Sequence, residues 1–141
     1  MVLVDSSVWI EAGRRTGKLE YKVGLENLLD AYEAAWCGPI KLEVLGGARK
    51  EDRKRLEQYF SIIPYKTMPD EAWDWAKENY QKLRDNGHSL PFNDVLIGTL
   101  SVRWMCRVYS ADGHFDVMRD WIGVRPYVPG YGGSYQPDTG G

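Results

Sequence analysis

The chain has 141 residues, 43% of them hydrophobic and 27% charged, with a formal net charge of −2. That length suits one domain with a real core and is too short for two. The charge balance argues against a protein that coats nucleic acid, no apolar run approaches the roughly eighteen residues of a membrane helix, and the two cysteines, Cys37 and Cys106, form no CxxC pair.

The first residues, MVLVDSSVWIE, carry a continuous apolar run, Val2 to Val4, rather than an alternating one. Such a run suits a strand covered on both faces, as in a parallel sheet. Asp5 breaks it, and no basic region precedes it, so a secretory signal is not expected; Cys37 and Cys106 fit a setting with reduced thiols, so the cytoplasm is the expected compartment. Ser6 and Ser7 are candidate N-caps for a short helix through Val8, Trp9 and Ile10. A loop around Gly13 to Gly17 follows. Leu25, Leu28, Leu29 and Tyr32 recur at helical spacing, which predicts a helix from about Val23 to Ala35. Ala35 to Cys37 reads as a short buried strand, and Gly38-Pro39 starts a helix that stops near Gly46-Gly47.

Lys50 to Phe60 reads as an amphipathic helix, and Ser61 to Pro64 as a brief strand. Pro69, Asp70 and Glu71 start another helix, with Trp73, Ala76, Tyr80 and Leu83 expected on its inner face. Asn86-Gly87 ends it. Pro91 begins a helix to about Met105 that is apolar nearly all round and therefore buried on more than one side. Arg107 to Ser110 reads as a strand, with another short one at Gly123 to Arg125. Strands alternating with helices predict an α/β domain with a mainly parallel sheet over residues 1–128. Residues 129–141, PGYGGSYQPDTGG, offer no core face and are expected to form a flexible tail.

Four acids stand out, two by their place at strand ends and two by their apolar surroundings. Asp5 follows the first strand, and Asp112 lies two residues past the strand that ends at Ser110. In open α/β sheets, ligands bind beyond the C-terminal strand ends. Glu43 shares its helix turn with Ile40, Leu42, Val44 and Leu45, and Asp94 sits near the start of the most apolar helix. Each has an ordinary alternative: a cap or turn for Asp5, a favourable helix dipole for Asp94, a turn dipeptide for Asp112-Gly113, an ion pair for Glu43. Clustered, they would repel one another unless a cation compensates. Oxygen-only ligands suit Mg²⁺ or Mn²⁺. Zinc is disfavoured, because His88, His114, Cys37 and Cys106 form no recognised spaced pair.

The segments VLVDSSVWIE, GPIKLEVLGGAR, LPFNDVLIGTL and VYSADGHFD resemble, in order and spacing, the motifs of the PIN-domain family. The likeness is strongest to VapC-type toxins of toxin–antitoxin pairs and spans about Val2 to Phe115. It implies a three-layer α/β/α domain and a metal-dependent endoribonuclease. Asp5, Glu43, Asp94 and Asp112 fall on the family's acidic positions, with Asp5, Asp94 and Asp112 as expected metal ligands. Ser7 and Ser110 fall on its hydroxyl positions, and Asp116 is a further nearby acid. The likeness also implies an RNA substrate, a cognate antitoxin and a homodimer. His114 lies in the last motif but is not assigned as a general base.

An anionic site that accepts an anionic polymer needs basic contacts. Arg14, Arg15 and Lys18 of the first loop are the sharper candidates; Arg49, Lys50, Arg53, Lys54 and Arg55 are interleaved with Glu51 and Asp52 and read as a solvated helix face. Two competing readings are a catalytically inactive PIN-like RNA-binding or regulatory module and a different Mg²⁺-dependent phosphoryl hydrolase. The second is weakened because Asp5-Ser6-Ser7 lacks an aspartate two residues after the first.

Overall fold

The computed structural model describes residues 1–140; Gly141, the last residue of the expected tail, lies outside the described residues. Five strands form one parallel sheet: β1 (Val2–Val4), β2 (Ala34–Cys37), β3 (Tyr65–Lys66), β4 (Arg107–Tyr109) and β5 (Arg125–Pro126). Their spatial order is β3-β2-β1-β4-β5. Seven helices flank the sheet: α1 (Ser6–Gly13), α2 (Leu19–Asp30), α3 (Gly38–Gly46), α4 (Arg53–Ile62), α5 (Ala72–Asp85), α6 (Phe92–Arg103) and α7 (His114–Ile122). No helix among the described residues is long and apolar enough to cross a membrane.

The order follows from the sequence pattern. Val2, Leu3 and Val4 are fully buried, as befits the central strand of a sheet covered on both faces. From β1 the chain builds outward through β2 and β3, then returns to lay β4 and β5 on the other side. The direction of winding therefore reverses between β1 and β4. Such a reversal opens a crevice at the C-terminal strand ends. The Asp5 amide donates to the Tyr109 carbonyl at 2.9 Å, holding the exits of the two strands together.

Several boundaries differ from the sequence reading. Asp5, not Ser6 or Ser7, is the N-cap of α1; its extended backbone (φ −66°, ψ 154°) lets its carboxylate face the first turn. The second helix spans Leu19–Asp30, because Tyr32 takes a left-handed φ of 57° that turns the chain into β2. α4 runs on to Ile62, so the third strand is displaced to Tyr65–Lys66. On α5 the inner face is built by Ala72, Trp75, Ala76, Tyr80 and Leu83, while Trp73 is exposed. Helix α7 was not foreseen. Its Phe115 and Met118 are buried and pack with α6, where Gly98 leaves room: a Cβ there would meet Met118 Sδ at 2.6 Å.

Residues 129–140 have a core face after all. Tyr135 packs against the core and stacks near Tyr127, with ring centroids 6.3 Å apart. Asn27 Nδ2 donates to the Gly133 carbonyl at 2.7 Å, and the Gln136 amide donates to the Tyr127 hydroxyl at 3.2 Å. Gly133 makes the close approach, with φ 82° and no side chain to strike Val23.

Candidate active site

The four acids converge on the crevice between β1 and β4. Asp5 and Asp94 are buried, the first at the end of β1 and the second in the first turn of α6. One carboxylate oxygen each from Asp5, Glu43 and Asp94 lie within 4.8 Å of one another, and so do ligand atoms of Asp94, Asp112 and His114. Asp94 belongs to both groups. Among the described residues, no lysine or arginine forms an ion pair with any of the four.

The two oxygens of Asp5 are treated very differently. Oδ2 accepts from Ser7 Oγ at 2.7 Å and from Ser110 Oγ at 3.0 Å, with the Ser7 amide at 3.4 Å. Each serine is itself fixed: the Ala111 amide donates to Ser7 Oγ at 2.9 Å and the Asp112 amide to Ser110 Oγ at 3.2 Å. Oδ1 is buried and has no hydrogen-bond partner among the described residues. An orphaned, buried carboxylate oxygen is costly. Burial is the main cause that raises the Asp5 carboxyl above its ordinary range, with Asp112 and Glu43 adding repulsion against the two serine hydrogen bonds. Asp94 is pushed up to about 6, again chiefly by burial, although His114 works against the shift.

The remaining acids are held by Asn93, which the sequence did not single out, and by His114, to which it gave no role. Asn93 Nδ2 donates to Glu43 Oε1 at 2.5 Å and to the Pro39 carbonyl at 3.2 Å, so α6 orients a side chain of α3. His114 Nδ1 lies 2.6 Å from Asp94 Oδ2 and 3.4 Å from Asp112 Oδ1. Asp112 Oδ1 also accepts from the His114 amide at 2.9 Å. Neither residue carried a local signal beyond its adjacency to an acid: Asn93 precedes Asp94, and His114 follows Asp112 by two.

This donor set fits a hard divalent cation. It is rich in carboxylate oxygens with one imidazole, has no lysine or arginine partner among the described residues, and leaves Asp5 Oδ1 in need of positive charge. Carboxylates held by serine and asparagine donors are the usual arrangement around such an ion.

No protein-family model matches the chain. The chain is 34% identical over 124 residues to VapC ribonuclease Mb1587 of Mycobacterium bovis, a match that covers 84% of this chain and 91% of that protein. The chain belongs to the VapC ribonuclease family. Solved structures share the fold at low sequence identity, two of them as follows. VapBC2 from Rickettsia felis, bound to a DNA fragment of its promoter, superposes with a TM-score of 0.73 at 14% identity, covering 90% of this chain and 98% of that one. A toxin–antitoxin complex from Klebsiella pneumoniae gives a TM-score of 0.67 at 18% identity, covering 88% and 95%.

Other candidates stand outside the VapC acid cluster. Asp116 is exposed on α7 and faces Arg119, with Arg119 Nη1 at 3.8 Å from its Oδ1. Arg14, Arg15 and Lys18 are exposed in the loop after α1. That helix starts beside Asp5 and rises about 1.5 Å per residue, so the loop stands a helix length away from the acids. Trp9 and Trp36 are in the core, and Trp104 is half-buried against it.

Proposed function

We propose that the protein is a metal-dependent endoribonuclease that hydrolyses RNA phosphodiester bonds as the toxin of a toxin–antitoxin pair. The observation that carries this reading is the convergence of Asp5, Glu43, Asp94 and Asp112 at the sheet's winding reversal, with one buried Asp5 oxygen unpartnered. The VapC ribonuclease relative and the toxin–antitoxin neighbour support it.

Asp5, Asp94 and Asp112 would hold Mg²⁺ or Mn²⁺, with Glu43 beside them. When bound, such an ion supplies Lewis-acid polarisation of a phosphodiester and offsets the repulsion among the carboxylates. The protein's own part is positioning. Ser7 and Ser110 fix Asp5 through Oδ2 and leave Oδ1 to face the ligand. Asn93 occupies Glu43 Oε1, which leaves the other oxygen free to take a proton from an attacking water. His114 sets the rotamer of Asp94. Arg14, Arg15 and Lys18 would contact the RNA backbone away from the cleaved bond, as a sequence-independent electrostatic grip. A cognate antitoxin and a second copy of the chain are the partners this reading implies, and the cytoplasm is its compartment.

The test is cleavage of a defined RNA pool by purified protein with Mg²⁺ or Mn²⁺, set against EDTA and against Asp5→Asn. Cleavage should require the ion and vanish in the variant, whose circular dichroism should match the parent. Equal cleavage in EDTA, or an active Asp5→Asn protein, would overturn the proposal. In cells, growth arrest should be relieved both by Asp5→Asn and by the antitoxin.

A further inference from the structure

A second charged site lies at the opposite end of the sheet. β4 and β5 both begin with an arginine, and Arg107 and Arg125 are register partners across the pair. With Arg119 of α7 they line a cavity of about 350 Å³, together with Val124, Pro126, Pro137, Asp138 and Thr139. Arg107 is only 8% exposed, and among the described residues its Nε and Nη2 have no hydrogen-bond partner. Its guanidinium lies over the Tyr127 ring, 4.9 Å from the centroid, which shields one face but satisfies no donor. Buried cations with free donors are expensive unless an anion meets them.

The cavity already shows which ligand chemistry it accepts. Asp138 Oδ1 takes a hydrogen bond from Arg125 Nη1 at 2.7 Å, while Oδ2 stays 4.0 Å from Arg107 Nε, too far for a hydrogen bond. Arg125 Nη2 donates to the Met105 carbonyl at 3.1 Å. Arg119 is turned toward Asp120 at 3.2 Å and Asp116 at 3.8 Å. Two guanidinium groups therefore share one carboxylate, which serves Arg125 well and Arg107 poorly. That carboxylate comes from residues 134–140, a segment without regular secondary structure.

We propose that this arginine cavity is an oxyanion-binding site for a phosphate group, with Asp138 as an intramolecular occupant that the ligand displaces. A phosphate has three or more acceptor oxygens against the two of a carboxylate, so it can reach Arg107 and Arg125 at once. Arg107 and Arg125 stand at the strand starts and the acids beyond the strand ends, so the two sites are separate. α7 touches both, with His114 among the acids and Arg119 at the cavity.

The full chain should be titrated without divalent ions, at constant ionic strength, with inorganic phosphate, adenosine 5′-monophosphate and adenosine. Binding is read by ³¹P line broadening and by the shift in Tm. Asp138→Asn should bind phosphate about tenfold more tightly than the parent, a difference of about 1.4 kcal/mol. Adenosine should not bind. Tighter binding of the nucleotide than of phosphate would assign the phosphate to a nucleotide or RNA end; equal binding would assign it to the free ion. Arg107→Met and the half-exposed Arg125→Gln, each in the Asp138→Asn background, should abolish saturation; the second guards against misfolding in the first. The proposal is overturned by an Asp138→Asn protein with no saturable phosphate binding, or by binding that survives Arg125→Gln at full strength.

Discussion

The hydroxyls of Ser7 and Ser110, 103 residues apart in the chain, lie 3.2 Å from each other and converge on the same oxygen of Asp5. Hydrogen bonds to a charged group contribute about 1.5–3 kcal/mol each. Ser7→Ala and Ser110→Ala should each weaken Mn²⁺ binding and RNA cleavage by about 10–100-fold. Because both serve one oxygen, the double variant should lose less than the sum of the two. Calorimetric titration and cleavage rates check this; two variants with parental metal affinity would refute the positioning role.

Among the described residues, Asn93 is the sole donor to the Glu43 carboxylate, and it also ties α6 to the Pro39 carbonyl at the start of α3. Asn93→Ala should reduce cleavage by about 10–100-fold, with a smaller effect on Tm. Asn93→Asp should be worse, since it sets a carboxylate against Glu43. Retention of parental rates in both would show that Glu43 needs no such support.

Stability in the absence of metal should fall as pH rises from about 4 to about 6. In that window the folded protein holds a proton on Asp94, whose carboxyl is pushed up to about 6, that the unfolded chain has already released. Asp5, raised in the same direction, adds to the slope. Asp138, lowered to about 2, acts only below this range, where its stabilising contribution is lost as the pH falls. Urea unfolding at several pH values in EDTA should show the decline, and Mg²⁺ should flatten it. A metal-free stability that rises across the window would contradict the cluster.

Gly98 sets how closely α7 approaches α6. Gly98→Ala places a methyl group 2.6 Å from Met118 Sδ and 3.2 Å from Val124 Cγ2. Overpacking of this kind costs about 1–3 kcal/mol, with the flexible Met118 favouring the lower end. Cleavage should fall as well, because the displaced helix carries His114 away from Asp94. Chemical denaturation and cleavage rates, measured together, check both effects; a variant of parental stability would show that the contact is slack.

Three of the four acid positions were legible because each violates an apolar pattern: Asp5 ends a buried strand, Asp94 enters a buried helix, and Glu43 interrupts an apolar turn. Position at a strand end then fixes direction, so Asp5 and Asp112 could be brought to one edge without coordinates. What was not legible depends on tertiary contact. His114 reaches Asp94 only because α7 lies against α6, and α7 is a short helix whose buried Phe115 and Met118 are flanked by Asp116, Arg119 and Asp120. The two-residue β3 is too short for any period, and its place was set by where α4 ended. Arg107 reads as a polar strand start, yet it is buried beneath Tyr127 and the Asp138 segment, which a composition of glycine, proline and tyrosine did not disclose.

The pairing of β1 with β4 has a consequence for synthesis. Asp5 leaves the ribosome 105 residues ahead of Ser110, the partner that fixes its carboxylate. Until β4 emerges, the nascent chain has only one wall of the crevice, and Asp112 and His114 are still to come. A nascent chain therefore carries no complete acid cluster until β4 and the two residues beyond Asp112 have followed it out.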